Sequence, residues 1–162
     1  MNLQLSPPEP LMAGHKLAEF VCGEALLDDW LKRRALANHL SGASRTFVVA
    51  DPNGRVFGYY ALASGAVAHI EATSGVRRNM PDPVPVMVLA RLAVDQSAQG
   101  VKLGASLLQD AVNRARAVSQ NAGVRAVLVH ALNDHAKQFY THYGFQESPI
   151  NPMTLLLRLS GF

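Results

Sequence analysis

The sequence predicts a mixed α/β (α+β) domain, and three observations predict it. Val86–Val94 is an apolar run of strand length broken only by Arg91. Residues 103–120 then repeat apolar side chains at 103, 107, 108, 111, 112, 115 and 118, the stripe of an amphipathic helix. Val124–Ala131 is a second apolar run. A continuous apolar run is what a strand buried on both faces needs, so strand, helix and strand follow one another at the centre of the chain. The chain has 162 residues and an apolar share of 49%, enough to bury one core. It carries no repeat, low-complexity tract or linker, so residues 1–162 are expected to form a single domain.

The remaining elements can be placed in order. Residues 1–20 are punctuated by proline and are expected to give an early strand or ordered arm. Leu26, Leu27, Trp30, Leu31, Ala35 and Leu36 recur at helical spacing, and Gly42 can end that helix. Asp28 with Lys32 and Asp29 with Arg33 are expected i,i+4 pairs on its outer side. Thr46–Ala50 reads as a strand, Asp51-Pro52-Asn53-Gly54 as a turn, and Val56–Ala63 as the hairpin partner. Ala66–Glu71 is expected to be another strand, followed by a polar loop with Arg77 and Arg78. The prolines at 81, 83 and 85 stiffen the entry to the central strand. Asn133 can cap a helix that Gly144 stops, and Met153–Leu159 reads as the last strand.

Composition narrows the function. No apolar run approaches the ~20 residues that cross a bilayer. The first residues lack a basic region followed by an apolar one, so no signal peptide is expected and a cytoplasmic location is the simplest reading. Cys22 is the single cysteine, which excludes an internal disulfide and a cysteine-based metal cluster. The formal charge is +3, and eleven of the fifteen cations are arginine, whose planar fork suits phosphate.

The segment after Val94 carries the clearest chemistry. A strand, residues 95–102 and a helix place backbone N–H groups at a helix N-terminus, where unpaired donors and partial positive charge favour a phosphate. Gly100 and Gly104 admit a close approach to the backbone, and Lys102 adds a cation. The segment is neither a Walker loop nor G-x-G-x-x-G. By spacing alone it reads equally as an ordinary strand-to-helix turn.

Gln99-Gly100-Val101-Lys102-Leu103-Gly104 resembles the [QR]-x-x-G-x-[GA] segment of the Gcn5-related N-acetyltransferases (GNAT), with Lys102 where that family has glycine. The same family carries a strand, an asparagine and a helix with a tyrosine before Gly-Phe, matched here by Asn133, Tyr140 and Gly144-Phe145. The segments at 20–35, 45–49, 77–85 and 89–95 are similar to the TacT-like acetyltransferase toxins of type II toxin–antitoxin modules, a likeness that spans about residues 18–160.

This resemblance implies a GNAT fold: a central mixed, mostly antiparallel sheet with a splayed central strand, flanked by helices. It implies acetyl-CoA as cofactor, with main-chain donors at Leu92, Ala93 and Val94 for the pantetheine and thioester. The loop formed by Gln99, Gly100, Val101, Lys102, Leu103, Gly104 and Ala105 would take the pyrophosphate, and Asn133 the pantetheine arm. Tyr140 would be the acid that protonates the departing thiolate. Read alone, Tyr140 is a core residue, because it shares a helix face with Ala136, Phe139 and Tyr143; Tyr143 is the fallback acid.

The resemblance further implies transfer to the α-amine of aminoacyl-tRNA, which blocks translation. A ribbon-helix-helix antitoxin from the same operon would neutralise the toxin, operator DNA would be met only through that complex, and the toxin would be a homodimer. The alternative acceptor is a small-molecule or protein amine, and a third reading is a non-enzymatic interaction module. Lys32, Arg33, Arg34, Arg45, Arg77, Arg78 and Arg91 are the candidate tRNA contacts, read otherwise as solvated or ion-paired cations. Arg91 could instead pair with Asp95, and no aromatic platform for bases is evident. His130, His135 and His142 are more simply structural or solvated, so no general base is assigned. An α-amine, with a pKa of about 8, needs one less than a lysine at about 10.4.

Overall fold

A computed structural model of the protein describes residues 3–159. The sheet has seven strands in the order β1-β2-β3-β4-β5-β7-β6: β1 Glu9–Pro10, β2 Arg45–Ala50, β3 Val56–Val67, β4 Val84–Val94, β5 Ala126–His130, β6 Gln146–Glu147 and β7 Thr154–Arg158. The helices are α1 Ala25–Trp30, α2 Leu36–Ser41, α3 Ser74–Arg77, α4 Leu103–Ser119 and α5 Asp134–His142. The described residues form two compact units, one within Met1–Ala63 and Ala90–Ala111, the other within Ser64–Leu89 and Val112–Phe162. Strands β3 and β4 each run from one unit into the other.

In the first unit β1 and β2 pair antiparallel, and β2 pairs antiparallel with β3 from Arg45 opposite Leu62 to Ala50 opposite Val56. The turn between them is the one the sequence expects. The Asp51 carboxylate accepts from the Asn53 and Arg55 amides, and Gly54 takes φ +86°. The core here joins Phe20, Leu31, Ala35, Val48, Val56, Tyr59 and Ala93. Gly58 allows β3 to meet α4, because a Cβ there would lie 3.0 Å from a Leu107 methyl and 3.0 Å from a Val49 methyl.

The helix expected from Leu26 to Gly42 forms, and Gly42 ends it at φ +83°. It is not uniform, since Leu31–Ala35 is a π-helical turn between α1 and α2. The extra residue in that turn breaks the regular i,i+4 spacing on which the Asp28–Lys32 and Asp29–Arg33 pairs rest. Asp28 faces inward instead, and its carboxylate accepts from the Cys22 amide at 2.9 Å.

In the second unit β4 runs parallel to β5 over Val86–Val88, and β5 and β6 each pair antiparallel with β7. The β4–β5 register ends at Val88 opposite Leu128, well before β4 itself ends at Val94. The core of this unit joins Val67, Ala72, Val76, Val84, Val86, Ala126, Leu128 and Leu156. The separate strand expected at Ala66–Glu71 does not form. Strand β3 continues to Val67 and His69–Glu71 is a 3-10 turn. The Ser64-Gly65 pair is a site of close packing rather than a break, because a Cβ on Gly65 would sit 2.7 Å from a Val88 methyl. The loop expected to hold Arg77 and Arg78 contains α3, with Arg78 at its C-cap.

Replacing Gly58 with valine should overpack the seat of α4 at a cost of about 2 kcal/mol, seen as a fall in melting temperature of roughly 6 °C. A melt unchanged within 1 °C would show that Leu107 and Val49 give way freely.

Candidate active site

The candidate residues fall in both units, and each set takes its geometry from its own surroundings. In the first, β4 delivers Leu92, Ala93 and Val94 to the loop, as expected, and α4 begins at Leu103. The Ser106 amide donates to the Lys102 carbonyl at 3.2 Å, so Lys102 is the residue before the helix. The first-turn N–H groups of Leu103, Gly104 and Ala105 therefore lack acceptors within their own helix. They supply the donors and the positive helix end that a pyrophosphate requires. Gly100 has φ +87°, and a Cβ there would meet nothing within 4 Å, so the loop is open in front of it.

Two side chains fix this loop. The Gln99 amide donates to the Val94 carbonyl at 3.0 Å and to the Cys22 carbonyl at 3.1 Å. Asp95 is buried, and its carboxylate accepts from the Ser97 amide at 2.9 Å, the Ser97 hydroxyl at 2.6 Å and the Val21 amide at 3.0 Å, with an Arg55 nitrogen 3.9 Å away. Burial alone would raise its pKa. The Ser97 and Val21 hydrogen bonds and the Arg55 charge outweigh that and hold it below the ordinary carboxylate range. Asp95 was absent from the sequence-based site. Its signal was an acid closing an apolar strand with serine two residues on, the pattern of an Asx turn.

Arg91 does not take Asp95 as its partner; Arg55 has that place. The Arg91 guanidinium lies over the Trp30 ring at 4.3 Å. Lys32, Arg33 and Arg34 are exposed on the π-helical turn, and Arg45 donates to the His39 carbonyl at 2.5 Å.

In the second unit the Asn133 carboxamide accepts from the Ala136 amide at 2.8 Å and so caps α5, as expected. Tyr140 is buried against Phe139 and Phe145, with ring centroids 5.2 and 5.4 Å away, and burial pushes its phenol well above the usual range. A phenol so placed stays protonated at any physiological pH. Tyr143, the fallback, is 42% exposed. His130 Nδ1 sits 3.0 Å from the Thr154 hydroxyl across the β5–β7 pair, and His135 and His142 are exposed. Arg77 and Arg78 are exposed at the end of α3. Arg125 donates to the carbonyls of Gly75, Val76 and Arg78 and fixes that end.

Residues 43–147 match the model of the acetyltransferase (GNAT) domain. The chain belongs to the GNAT acetyltransferases. It is 52% identical over 152 residues to a tRNA-acetylating toxin of Mycobacterium tuberculosis (strain ATCC 25618 / H37Rv), covering 94% of this chain and 91% of that one. It is 28% identical to a probable toxin TacT of Sinorhizobium fredii (strain NBRC 101917 / NGR234), over 90% of this chain and 86% of the relative. Among solved structures it superposes on AtaT complexed with acetyl-methionyl-tRNAfMet with a TM-score of 0.88, at 28% identity over 96% of this chain and 95% of that one. A tyrosine-to-phenylalanine mutant of KacT gives 0.90 at 26% identity, over 96% and 95% of the two chains.

This acetyltransferase uses acetyl-CoA, and the loop of the first unit has the chemistry its pyrophosphate needs: an open glycine, a helix N-terminus and an adjacent lysine. Its one departure from the family motif has a conformational side. Lys102 stands at φ +62°, in the left-handed region that a glycine enters freely. Lys102 therefore holds a glycine-like backbone conformation while carrying a cation, at a cost of about 1 kcal/mol.

Two outcomes follow for the loop. Lys102→Gly should raise the melting temperature by roughly 3 °C by removing that strain, and calorimetry should find acetyl-CoA bound about threefold more weakly as a phosphate contact is lost. Lys102→Gln should show the weaker binding without the gain in stability. Asp95→Ala should cost about 3 kcal/mol by orphaning the Val21 and Ser97 donors. Because the folded-state pKa of Asp95 is depressed, its contribution is fully present at neutral pH. The gap between wild type and variant in urea melts should close as pH falls below the ordinary carboxylate range.

Proposed function

We propose that this chain, acting as one catalytic domain in the cytoplasm, transfers the acetyl group of acetyl-CoA to the α-amine of aminoacyl-tRNA and thereby blocks translation. The observation that carries this reading is the 52% identity to a tRNA-acetylating toxin across 94% of the chain. The AtaT structure solved with acetyl-methionyl-tRNAfMet supports it. AtaT has also been solved as a tyrosine-to-phenylalanine mutant bound to the C-terminus of its antitoxin AtaR and acetyl-CoA. We infer likewise that a ribbon-helix-helix antitoxin from the same operon neutralises this protein, that operator DNA is bound only through that complex, and that the toxin pairs as a homodimer. Solved KacTA–DNA and AtaT–AtaR–DNA assemblies support the DNA part of that reading.

Acetyl-CoA, when bound, supplies an activated thioester and a thiolate leaving group. The chain supplies the rest. The amides of Leu103, Gly104 and Ala105 with Lys102 bind the pyrophosphate. Main-chain donors at Leu92, Ala93 and Val94 polarise the carbonyl as negative charge develops on it. Asn133 orients the pantetheine arm while capping α5. With acetyl-CoA bound, Tyr140 would hold its phenolic proton for the departing sulfur as the neutral α-amine takes the acetyl group. The new amide nitrogen releases its extra proton to solvent, from which the phenolate is restored. The basic residues at 32–34, 45, 77–78 and 91 form the salt-sensitive contact to RNA phosphates.

The test is incubation with acetyl-CoA and total charged tRNA, read by mass spectrometry of the terminal aminoacyl-nucleoside. An added acetyl on the amino acid is expected. Tyr140→Phe should lower kcat by at least about a hundredfold with acetyl-CoA affinity held within about twofold, and it should relieve growth arrest when the chain is expressed without its antitoxin. The rate should rise through the ionisation of the α-amine, at about pH 8. It should hold beyond pH 10, because burial keeps the Tyr140 phenol protonated. Unlabelled charged tRNA, with label on a protein or small amine instead, would overturn the acceptor assignment.

A further inference from the structure

Arg91 is the one candidate cation on the central strand, and its surroundings are unlike those of the others. Its guanidinium lies 4.3 Å from the centre of the Trp30 ring. Trp30 in turn stacks on Tyr59, with planes 11° apart. Tyr59 is fully buried, packs edge-on against Phe20 and donates its hydroxyl to the Leu27 carbonyl at 2.6 Å. That bond ties the stack to the helix from which Trp30 projects. Asp95, the carboxylate at the end of the same strand, is committed to Val21, Ser97 and Arg55. An indole face holds a cation without competing for its N–H donors, which lie in the guanidinium plane and point outward. Arg91 and Ala93 share a strand face one repeat apart, about 7 Å. Ala93 is among the residues whose main chain is assigned to the thioester. An acceptor that offers its amine there passes the Arg91 guanidinium.

We propose that Trp30 is a positioning residue for the acceptor: it holds the Arg91 guanidinium so that its in-plane donors meet the last phosphodiester of the charged tRNA. This rests on the tRNA reading above. A planar, forked donor takes two oxygens of a phosphate at once, which a lysine cannot do. The partial burial that lowers the Arg91 pKa leaves it a cation at neutral pH and strengthens a contact to an anion.

The experiment measures KM for charged tRNA and for acetyl-CoA separately in Arg91→Lys, Trp30→Leu and Trp30→Phe. It repeats the rates with an aminoacyl-adenosine, which has the amine and ester but no phosphodiester. Arg91→Lys and Trp30→Leu should raise KM for charged tRNA about tenfold, with KM for acetyl-CoA within twofold. Trp30→Phe, which keeps an aromatic face, should recover most of the loss, and the aminoacyl-adenosine should show no penalty in any variant. Unchanged KM for tRNA, an equal loss on the adenosine, or a parallel loss on acetyl-CoA would each overturn the proposal. Should Trp30→Leu fail to fold, Arg91→Lys alone decides, since it removes the fork and keeps the charge and the core. A wild type inactive on charged tRNA defeats the acceptor reading itself. A wild type that is active beside silent Trp30 and Arg91 variants defeats only this inference.

Discussion

The loop between β4 and α4 depends on a buried carboxylate. Asp95 sits where β4 must stop being a strand and become a cradle, and its two oxygens collect donors from both sides of that change. The Ser97 amide and hydroxyl turn the chain, and the Val21 amide ties the turn to the segment before α1. The Asp95 amide donates to the Phe57 carbonyl and the Gln96 amide to the Val21 carbonyl, so main chain and side chain pull the same way. Gln99 closes the frame by bonding back to Val94 and across to Cys22. Each such bond is worth about 1 kcal/mol net. Together they preset the loop, so that binding an anion costs little ordering of the backbone.

The segment before α1 links that loop to the first helix. Val21 receives Asp95 and Cys22 receives Gln99 from the loop, and the Cys22 amide is held by Asp28 of α1. Cys22 itself is kept inert. Burial, reinforced by its hydrogen bond and proximity to Asp28, pushes the thiol up to about 12, so it does not compete as a nucleophile. Beyond Asp28 the helix turns through Trp30, where the π-helical residues carry Lys32, Arg33 and Arg34 outward. A π turn costs regular hydrogen bonding and persists where surrounding packing demands it. Here the demand comes from the buried residues Leu31 and Ala35 on either side of the three cations.

What could be read from the sequence follows from the range over which each cause acts. Helix caps and turn residues act locally, so Asn133, Gly42, Gly144 and the Asp51–Gly54 turn stand where expected. The apolar runs placed β4, α4, β5 and β7 within a few residues, because burial periodicity belongs to the element itself. The errors arose where distant residues decide. Ser64-Gly65 resembles a break, yet Val88 needs the missing side chain there, and β3 runs on. Asp28 looked like half of a surface ion pair, but a main-chain amide six residues earlier claims it. Of the two partners open to Arg91, Asp95 is close in sequence, whereas in the fold Trp30 of α1 lies under the guanidinium and Arg55 lies beside Asp95. The motif positions were legible through family likeness. The frame that holds them was not, because it is assembled from residues 21, 22, 28, 55 and 97.

The acid–base demands of the reaction explain why so little titratable machinery is needed. A thiolate is a good leaving group, so the enzyme must offer a proton late, from a group that never loses it early. In the proposed role, burial keeps the Tyr140 phenol protonated until the thiolate forms, and the same burial makes it a weaker acid than an exposed phenol. On the other side, an α-amine with a pKa of about 8 is already neutral in appreciable fraction near neutral pH, so it needs a general base less than a lysine does. His130, held at Nδ1 beside Thr154, is spent on the β5–β7 pair. An acceptor with the basicity of a lysine side chain would have a reactive fraction about a hundredfold smaller at pH 8.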